Sequence, residues 1–213
     1  MAAQKLLILG TRMLALEVAD LATDAGFEIA GFVENLDPER CVESLEGLPV
    51  HWIDDVAAYA DTHLAVCALG TTHRHRFVEQ AAQLGFRFAT VVHPSARVST
   101  RSRVGEGTIV SAGAVIAAHS TIGRHVLVNR GVLIGHHTEI ADYVSIQPGA
   151  NVAGACRIGE RAYIAMSAVV IDRVTVGSYS VVGAGAVVTK DVPENVQVVG
   201  VPARIVKENV EGR

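Results

Sequence analysis

The sequence predicts a parallel β-helix, and two observations lead to this fold class: an unbroken six-residue repeat and branched apolar residues at one place of every repeat. The repeat keeps its register for sixteen units between Ala96 and Asp191, and the third place is always Val or Ile. These residues are Val98, Val104, Val110, Ile116, Ile122, Val128, Ile134, Ile140, Ile146, Val152, Ile158, Ile164, Val170, Val176, Val182 and Val188. A period of six fits short strands joined by tight corners, with three strands in each coil of eighteen residues.

The first place of each unit, two residues before the branched one, is small or Val and never charged. Such side chains are expected in the narrow interior near a corner, where larger ones would overpack. The fourth place is mostly Gly, Ala or Ser, as at Gly105, Gly123 and Gly135, which predicts corners with unusual backbone angles there. We therefore expect about five coils, each rising by about 4.8 Å.

The segments on either side of the repeat are predicted to cover its ends, because an open coil is an unpaired strand edge. Residues 193–213 contain Pro193, Gly200 and Pro202, followed by a predicted short C-terminal helix from Ala203 to Val210. Residues 1–93 are long enough for a small domain. The predicted domains are therefore 1–93, 94–192 and 193–213.

The N-terminal segment alternates strand and helix patterns in the order of a βαβ unit. The pattern predicts strands over 5–10 and 28–34 around a helix over 13–25, and the alternation continues through 64–70, 75–84 and 88–92. This order predicts a small α/β Rossmann-like domain with ligands at the carboxyl ends of its strands. The first loop, 10–14, holds a single glycine, so a ligand-binding domain and a purely structural cap both remain open.

Composition narrows the possible functions and locations. Half of the 213 residues are apolar and the net charge is −4 with no basic stripe, which argues against nucleic-acid binding. The apolar runs are strand-sized and the first ten residues do not resemble a signal peptide, so we expect no membrane partner. Cys41, Cys67 and Cys156 show no metal or disulfide spacing, which favours the cytoplasm, and Cys156 is expected to pack in the interior.

Four histidines in the repeat, His119, His125, His136 and His137, stand at outward places and are expected to be exposed. Adding eighteen to 136 gives Gly154, so the His136 imidazole should lie about one strand spacing from a residue without a side chain. The same step stacks His137 on His119. A neutral imidazole beside an accessible N–H suits a general base with a donor for a developing oxyanion.

Three stretches carry a resemblance to a known family. They are Leu-Ile-Gly-His-His-Thr-Glu-Ile over 133–140, Tyr-Val-Ser-Ile-Gln-Pro-Gly over 143–149 and Val-Gly-Val-Pro-Ala-Arg over 199–204. They resemble the hexapeptide-repeat sugar acetyltransferases of the sialic acid O-acetyltransferase type, a group that includes bacterial enzymes that N-acetylate 4-amino nucleotide sugars. The junction 93–96 looks like that of the family. The resemblance implies a left-handed parallel β-helix, acetyl-CoA as the acyl donor, no metal, a cytoplasmic homotrimer and a role in glycan biosynthesis.

The resemblance also implies roles for particular residues. His136 matches the proton acceptor, Gly154 matches the glycine whose N–H meets the thioester carbonyl, and Asn129 matches a position near the catalytic centre. The cofactor would lie between neighbouring subunits. The implied contacts to its pantetheine arm and phosphates are Ser145, Ala165, Met166, Ala184, Lys190, Arg204 and Lys207.

The chain departs from the family in two places. The family usually has Asp or Glu directly after the catalytic His, whereas this chain has His137. Either His137 orients His136, or a carboxylate such as Glu139 or Asp142 takes over, or the activity is altered. The second departure is the glycine-poor first loop, which predicts an altered acceptor site. Its predicted substrate-binding residues are Arg12, Met13, Leu14, Glu34, Asn35 and Gly70, together with Asn129.

The sequence as a whole predicts an acetyl-CoA-dependent N-acetyltransferase acting on a nucleotide-linked 4-amino sugar. Direct transfer is expected, with His136, assisted by His137, as the base. The alternative acceptor is a hydroxyl of sialic acid or a related sugar. Two remote alternatives use the same fold: a zinc enzyme resembling γ-type carbonic anhydrases, with His119, His136 and His137 as ligands, and a non-catalytic scaffold.

Overall fold

The computed structural model describes residues 3–42 and 44–213. The chain forms two compact units. The first comprises Met1–Gly70 with Arg74–Pro94, and the second comprises Thr71–His73 with Ser95–Arg213. No helix in the described ranges is both long and apolar enough to span a membrane.

The first unit is a four-stranded parallel sheet with two α-helices. Its elements are β1 (Lys5–Leu9), α1 (Met13–Asp24), β2 (Glu28–Glu34), β3 (Val50–Trp52), β4 (Leu64–Cys67), α2 (His75–Gln83) and β5 (Val91–Val92), with short 3₁₀ turns at Pro38–Val42, Ile53–Asp55 and Ala57–Tyr59. A further 3₁₀ turn covers Thr72–Arg74. The strand order is β3-β2-β1-β4, and all three pairings are parallel. The predicted βαβ start is present, whereas β3 was not predicted from the sequence.

Helix α1 forms because its apolar residues recur at helical spacing along one face. Ala15, Val18, Leu21 and Ala22 are buried on that face, and the helix packs against β1 and β2. Residues Leu6 to Leu9 of β1 are buried on both sides, as is expected of a central parallel strand. The helix ends at Asp24, and Gly26 follows with a φ of +91°.

The second unit is built from sixteen two-residue strands, a hairpin and tight corners. The strands are β6 (Arg97–Val98), β7 (Arg103–Val104), β8 (Ile109–Val110), β9 (Val115–Ile116), β10 (Thr121–Ile122), β11 (Leu127–Val128), β12 (Leu133–Ile134), β13 (Glu139–Ile140), β14 (Ser145–Ile146), β15 (Asn151–Val152), β16 (Arg157–Ile158), β17 (Tyr163–Ile164), β18 (Val169–Val170), β19 (Thr175–Val176), β20 (Val181–Val182), β21 (Val187–Val188), β22 (Val196–Val199) and β23 (Arg204–Glu208).

Each repeat strand pairs in parallel with the strand eighteen residues away, as Ile122 does with Ile140 and Ile134 does with Val152. The strands therefore form three parallel sheets that run β6-β9-β12-β15-β18-β21, β7-β10-β13-β16-β19 and β8-β11-β14-β17-β20-β22. This pairing confirms the eighteen-residue coil. The branched residues of the third place fill its interior, as Ile116, Ile134 and Ile164 do with at most 2% of their surface exposed.

The corners differ from the prediction. Positive φ angles occur at the sixth place of the repeat, from Gly107 to Gly185, and not at the fourth. The fourth place is small for another reason: an added Cβ at Gly135 would lie 2.5 Å from the carbonyl carbon of Ala153. The close approach of the next coil, and not an unusual backbone angle, therefore selects glycine there.

The predicted C-terminal helix over Ala203 to Val210 is wrong. The segment forms β23, which pairs antiparallel with β22, so that Val199 faces Arg204 and Val198 faces Ile205. Branched residues such as Ile205 and Val206 favour strands, and β22 offers an edge with which they can pair. Val210 then packs into a cluster with Tyr163, Ala165 and Val181.

Candidate active site

One corner of the coil carries the predicted catalytic residues, and we call it the histidine edge. It connects each strand of the six-stranded sheet to the next strand of the five-stranded sheet. The edge consists of Thr100, Arg101, Ala118, His119, His136, His137, Gly154, Ala155, Asp172, Arg173, Lys190 and Asp191. Both His136 and His137 are exposed, in agreement with the prediction.

Interior hydroxyl groups fix the backbone directly before each key residue of this edge. The Ser120 hydroxyl donates to the Gly135 carbonyl at 2.8 Å, and the Thr138 hydroxyl donates to the Ala153 carbonyl at 2.9 Å. The Ala155 N–H donates to the His136 carbonyl at 2.8 Å, which ties the two coils together. His136 and the residue above it are therefore held on a rigid scaffold.

The His136 ring lies against the backbone of Gly154, as the eighteen-residue step predicts. An added Cβ at Gly154 would lie 2.9 Å from Cε1 and 3.0 Å from Nε2 of His136. Only a residue without a side chain leaves the ring in this position. Among the described residues, no acceptor bonds the Gly154 N–H, so this donor is available to a ligand.

His136 and His137 are also close to one another. Their Nδ1 atoms are 3.0 Å apart, within hydrogen-bond distance. The His137 ring stacks on the ring of His119 with 4.8 Å between centroids and 29° between planes, as predicted. The Nε2 atom of His136 lies beside Gly154 and has no hydrogen-bond partner among the described residues.

The two carboxylates considered as alternative partners of His136 are engaged elsewhere. Glu139 pairs with Arg157, with 3.6 Å between the nearest N and O atoms. Asp142 accepts from the Arg124 N–H at 2.7 Å and from its guanidinium Nε at 3.0 Å, which raises the pKa of Arg124. Within the described ranges, neither carboxylate contacts His136.

The expectation that all four histidines are exposed fails for His125. Only 7% of its surface is exposed, because its ring stacks on Tyr143 of the next coil at 5.2 Å and 9°. On the coil below, the His125 ring occupies the place that a side chain at Gly107 would take. A large aromatic neighbour at the eighteen-residue step buries this histidine, whereas Gly154 leaves His136 open.

The residues predicted to meet the cofactor are not all on the histidine edge. Lys190 lies on the last coil of that edge, three coils beyond His136. Met166 and Ala184 are exposed at a different corner, with Ala165 beside them and buried. Ser145 is fully buried in β14, and Arg204 and Lys207 are exposed on β23. A single chain therefore does not bring these residues to His136.

Asn129 also lies away from the histidine edge. It directly follows β11, and 5% of its surface is exposed. Its side-chain oxygen accepts from the Arg130 N–H at 2.8 Å. The structure therefore does not place Asn129 against His136 within one chain.

Several predicted acceptor residues gather at the carboxyl ends of β1, β2 and β4. The buried Glu34 carboxylate accepts from the Thr11 hydroxyl and from the N–H groups of Asn35 and Leu36. Burial alone would raise the pKa of the Glu34 carboxyl group. The hydrogen bonds together lower this pKa by more than burial raises it, so the pKa of Glu34 lies below its ordinary value. Leu14 lies close to Gly70: a Cβ added at Gly70 would be 3.5 Å from the Cδ2 atom of Leu14.

The other predicted acceptor residues, Arg12, Met13 and Asn35, adjoin these in the sequence but make fewer contacts. Met13 is 87% exposed, and Arg12 is exposed at the start of α1. The Asn35 amide donates to the side chain of Gln80 at 3.1 Å.

Sequence reasoning did not single out Thr11 or Arg40. The Arg40 guanidinium reaches the Thr11 carbonyl at 3.4 Å, and both residues line a cavity of about 440 Å³. Thr11 carries a usable signal, because it directly follows a buried strand and a glycine with a φ of +126°. Arg40 carries none, because it lies in the short 3₁₀ turn Pro38–Val42 between β2 and β3, where no motif marks it.

The cysteine thiols and the histidines were also considered as possible metal ligands. Cys156 is fully buried, as predicted, and burial raises its pKa; burial also raises the pKa of Cys67 to about 11. In the part of the chain that the structure describes, no three His, Cys, Asp or Glu side chains are arranged to hold a metal ion.

Comparison with protein families identifies part of the repeat. A family model for the bacterial transferase hexapeptide (six repeats) matches residues 155–190. No curated protein sequence matches the chain.

Solved structures give matches over nearly the whole chain. A perosamine N-acetyltransferase variant from Caulobacter crescentus, in complex with CoA and GDP-perosamine, is 31% identical, with a TM-score of 0.89 over 96% of this chain and 97% of that one. The acetyltransferase domain of PglB from Neisseria gonorrhoeae, in complex with acetyl coenzyme A, is 32% identical, with a TM-score of 0.89 over 96% and 100%.

WeeI from Acinetobacter baumannii is 27% identical, with a TM-score of 0.87 over 96% of this chain and 100% of that one. The repeat, the stacked coils and the extent of these matches lead to one conclusion. The chain belongs to the hexapeptide-repeat sugar acetyltransferases and is an acetyl-CoA-dependent acyltransferase.

Proposed function

We propose that this enzyme transfers the acetyl group of acetyl-CoA to the amino group of a nucleotide-linked amino sugar. The observation that carries the proposal is the His136 ring held against Gly154, whose N–H has no acceptor among the described residues. The matched structures support the substrate class, because one contains CoA with GDP-perosamine and another contains acetyl coenzyme A.

The proposed reaction is a direct transfer. His136 takes a proton through Nε2 from the amine as the nitrogen attacks the thioester carbonyl. The carbonyl oxygen becomes negatively charged, and the Gly154 N–H donates to it. The C–S bond then breaks, and protonated His136 returns the proton to the leaving sulfur. Because the amine attacks the thioester itself, this sequence needs no acyl-enzyme.

The first unit is proposed to be a Rossmann-like domain that binds the acceptor substrate. The parallel strand order β3-β2-β1-β4 supports this, because ligands bind such sheets at the carboxyl ends of their strands. The predicted acceptor residues stand at or shortly after the last residues of β1, β2 and β4: they are Arg12, Met13, Leu14, Glu34, Asn35 and Gly70. Thr11, which also follows β1, lines a cavity together with Arg40. The proposed domains remain 1–93 for the acceptor, 94–192 for a left-handed β-helix and 193–213 as a cap.

A homotrimer is proposed because one chain carries the parts of the cofactor site on separate corners. Met166 and Ala184 would reach His136 only from a neighbouring subunit. The outward places of the six-stranded sheet support such an interface, because four of the six are apolar and 44% of the Leu133 surface is exposed. The apolar ones are Val115, Leu133, Val169 and Val187, and the other two are Arg97 and Asn151. Because both substrates of the proposed reaction are cytoplasmic metabolites, a cytoplasmic location is proposed as well.

Leu133→Asp tests the interface. A buried carboxylate there should dissociate the trimer and abolish turnover, as measured by light scattering and thiol release. Thr121→Asp is the matched control, because Thr121 holds the same exposed place on the neighbouring sheet and should stay trimeric and active. A trimer in Leu133→Asp would contradict this interface.

The substrate proposal is tested by thiol release from acetyl-CoA. The acceptor panel consists of UDP-, GDP- and dTDP-linked 4-amino sugars together with free sialic acid. We expect release with at least one amino sugar and an N-acetylated product in mass spectrometry. Release with sialic acid alone would instead support O-acetylation, and release with no acceptor would contradict the proposed function.

A further inference from the structure

The contact between His136 and His137 restricts how protons can be arranged in this site. Their Nδ1 atoms are 3.0 Å apart, and the planes of the two rings are nearly perpendicular, at 85°. In the ranges 3–42 and 44–213, neither side chain has another polar partner. A hydrogen bond between these two nitrogens therefore couples the tautomers of the two rings.

A neutral imidazole carries a proton on one nitrogen only, and a hydrogen bond needs one donor and one acceptor. If His137 Nδ1 donates, then the proton of His136 lies on Nε2, and His136 cannot act as a base there. If His136 Nδ1 donates, then its Nε2 has a free lone pair beside Gly154. Only the second arrangement is competent for proton abstraction.

We infer that His137 is a positioning residue that accepts a hydrogen bond from the Nδ1–H of His136 and so keeps Nε2 of His136 free as the base. This inference rests on the proposed function for its kinetic consequences, but the tautomer is a property of the enzyme without substrate. His137 itself then carries its proton on Nε2. A neutral ring thus takes the place next to the base.

The surroundings of His137 hold its ring in the accepting position. His137 has a φ of +55°, and one face of its ring stacks on His119. On the coil above, Ala155 places only a methyl group over it. The charged groups nearest along this edge are Arg101 below His119 and the Asp172–Arg173 pair, whose N and O atoms are 3.9 Å apart.

A neutral acceptor differs in two ways from a carboxylate. An imidazole can reverse the hydrogen bond and populate the incompetent arrangement, whereas an ionised carboxylate can only accept. A carboxylate would also make a charge-assisted hydrogen bond to the imidazolium that forms as His136 takes the proton. Replacing His137 by a carboxylate should therefore raise turnover.

The tautomers can be measured directly by long-range ¹H–¹⁵N correlation on the ligand-free, histidine-labelled enzyme at neutral pH. His136→Ala and His137→Ala variants assign the signals. We expect Nδ1 of His136 and Nε2 of His137 to be the protonated nitrogens. A proton on Nε2 of His136 as the main form would overturn the inference, whether or not an acceptor substrate is known.

Kinetics give the second readout. His137→Glu should raise kcat by at least about twofold, and His137→Ala should lower kcat by about tenfold with the KM for acetyl-CoA little changed. Glu139→Ala is the matched control, because Glu139 lies two residues after His137 but pairs with Arg157 and does not contact His136, and it should stay within about twofold. Unchanged kcat and pH profile in His137→Ala would contradict a positioning role. Absence of turnover in the wild type, with the expected tautomers present, would count against the proposed function alone.

Discussion

His137 and His125 occupy the same place of the repeat, yet their surroundings are opposite. Their φ angles are +55° and +53°, so the corner imposes one backbone conformation on both. His137 is exposed beside His136, whereas His125 is 7% exposed beneath Tyr143. The repeat therefore sets the backbone, and the residue eighteen positions later decides whether a histidine is buried or available to a substrate.

The corner that contains His125 forms a continuous stack, which we call the aromatic edge. Its members are His125, Tyr143, Arg161 and Tyr179, one on each successive coil. The Arg161 guanidinium lies 5.9 Å from the Tyr143 ring and 5.5 Å from the Tyr179 ring, within the range of cation–π contacts. We expect this edge to contribute to stability, whereas the histidine edge leaves Nε2 of His136 and the N–H of Gly154 without a partner among the described residues.

Substituting the two histidines separately should produce the largest contrast. His136→Ala removes the proposed base and should lower kcat by a factor of about 10² to 10⁴, with acetyl-CoA affinity largely kept. His125→Ala should keep kcat within about twofold but lower the melting temperature, because it leaves a cavity under Tyr143. Thiol release, calorimetry with acetyl-CoA and thermal unfolding measure these effects. Equal activity losses in the two variants would remove the distinction between the edges.

Gly154→Ala makes the histidine edge resemble the aromatic one, because it adds an atom over the ring. The new Cβ would meet His136 at about 3 Å, which is closer than ordinary contact, so the ring must move and carry Nε2 away from its present position. We expect kcat to fall by about tenfold to a hundredfold, since small displacements of catalytic groups are costly.

The control for this variant is its stability, because Gly154 lacks a positive φ and its backbone accepts alanine. The melting temperature should therefore change little compared with the loss in kcat. Wild-type turnover in Gly154→Ala would show that the close packing of this glycine is not needed for catalysis.

Tyr143→Ala opens the aromatic edge and should have the smallest effect on activity. Removing the ring uncovers His125 and deletes its contact with Arg161. We expect a loss of about 1 to 3 kcal/mol in the free energy of unfolding, measured with urea, and unchanged thiol release. A large loss of turnover without a loss of stability would place this edge in the reaction.

Much of the β-helix could be predicted because its repeat is a direct consequence of packing. A strict six-residue period leaves one interior place for Val and Ile, and the eighteen-residue step follows from three strands in each coil. That step correctly placed His136 against Gly154 and His137 on His119. It could not show that His125 is buried, because burial depends on which ring stands on the next coil.

Other features escaped the sequence because they depend on contacts without a period. The segment from Arg204 to Glu208 forms a strand because the edge of β22 is available for pairing, which a helix pattern in isolation does not show. Thr11 and Arg40 meet only because β1 and β2 are neighbours in the sheet. The residues of the proposed acceptor site are of this second kind.

Chemical rescue tests the central claim most directly, namely that the imidazole lying against Gly154 is the base. His136→Ala leaves an open space beneath Gly154, so free imidazole added to a thiol-release assay should restore part of the lost turnover. His125→Ala, whose base is intact, should not respond to imidazole. Wild-type turnover by His136→Ala in the absence of imidazole would contradict the account.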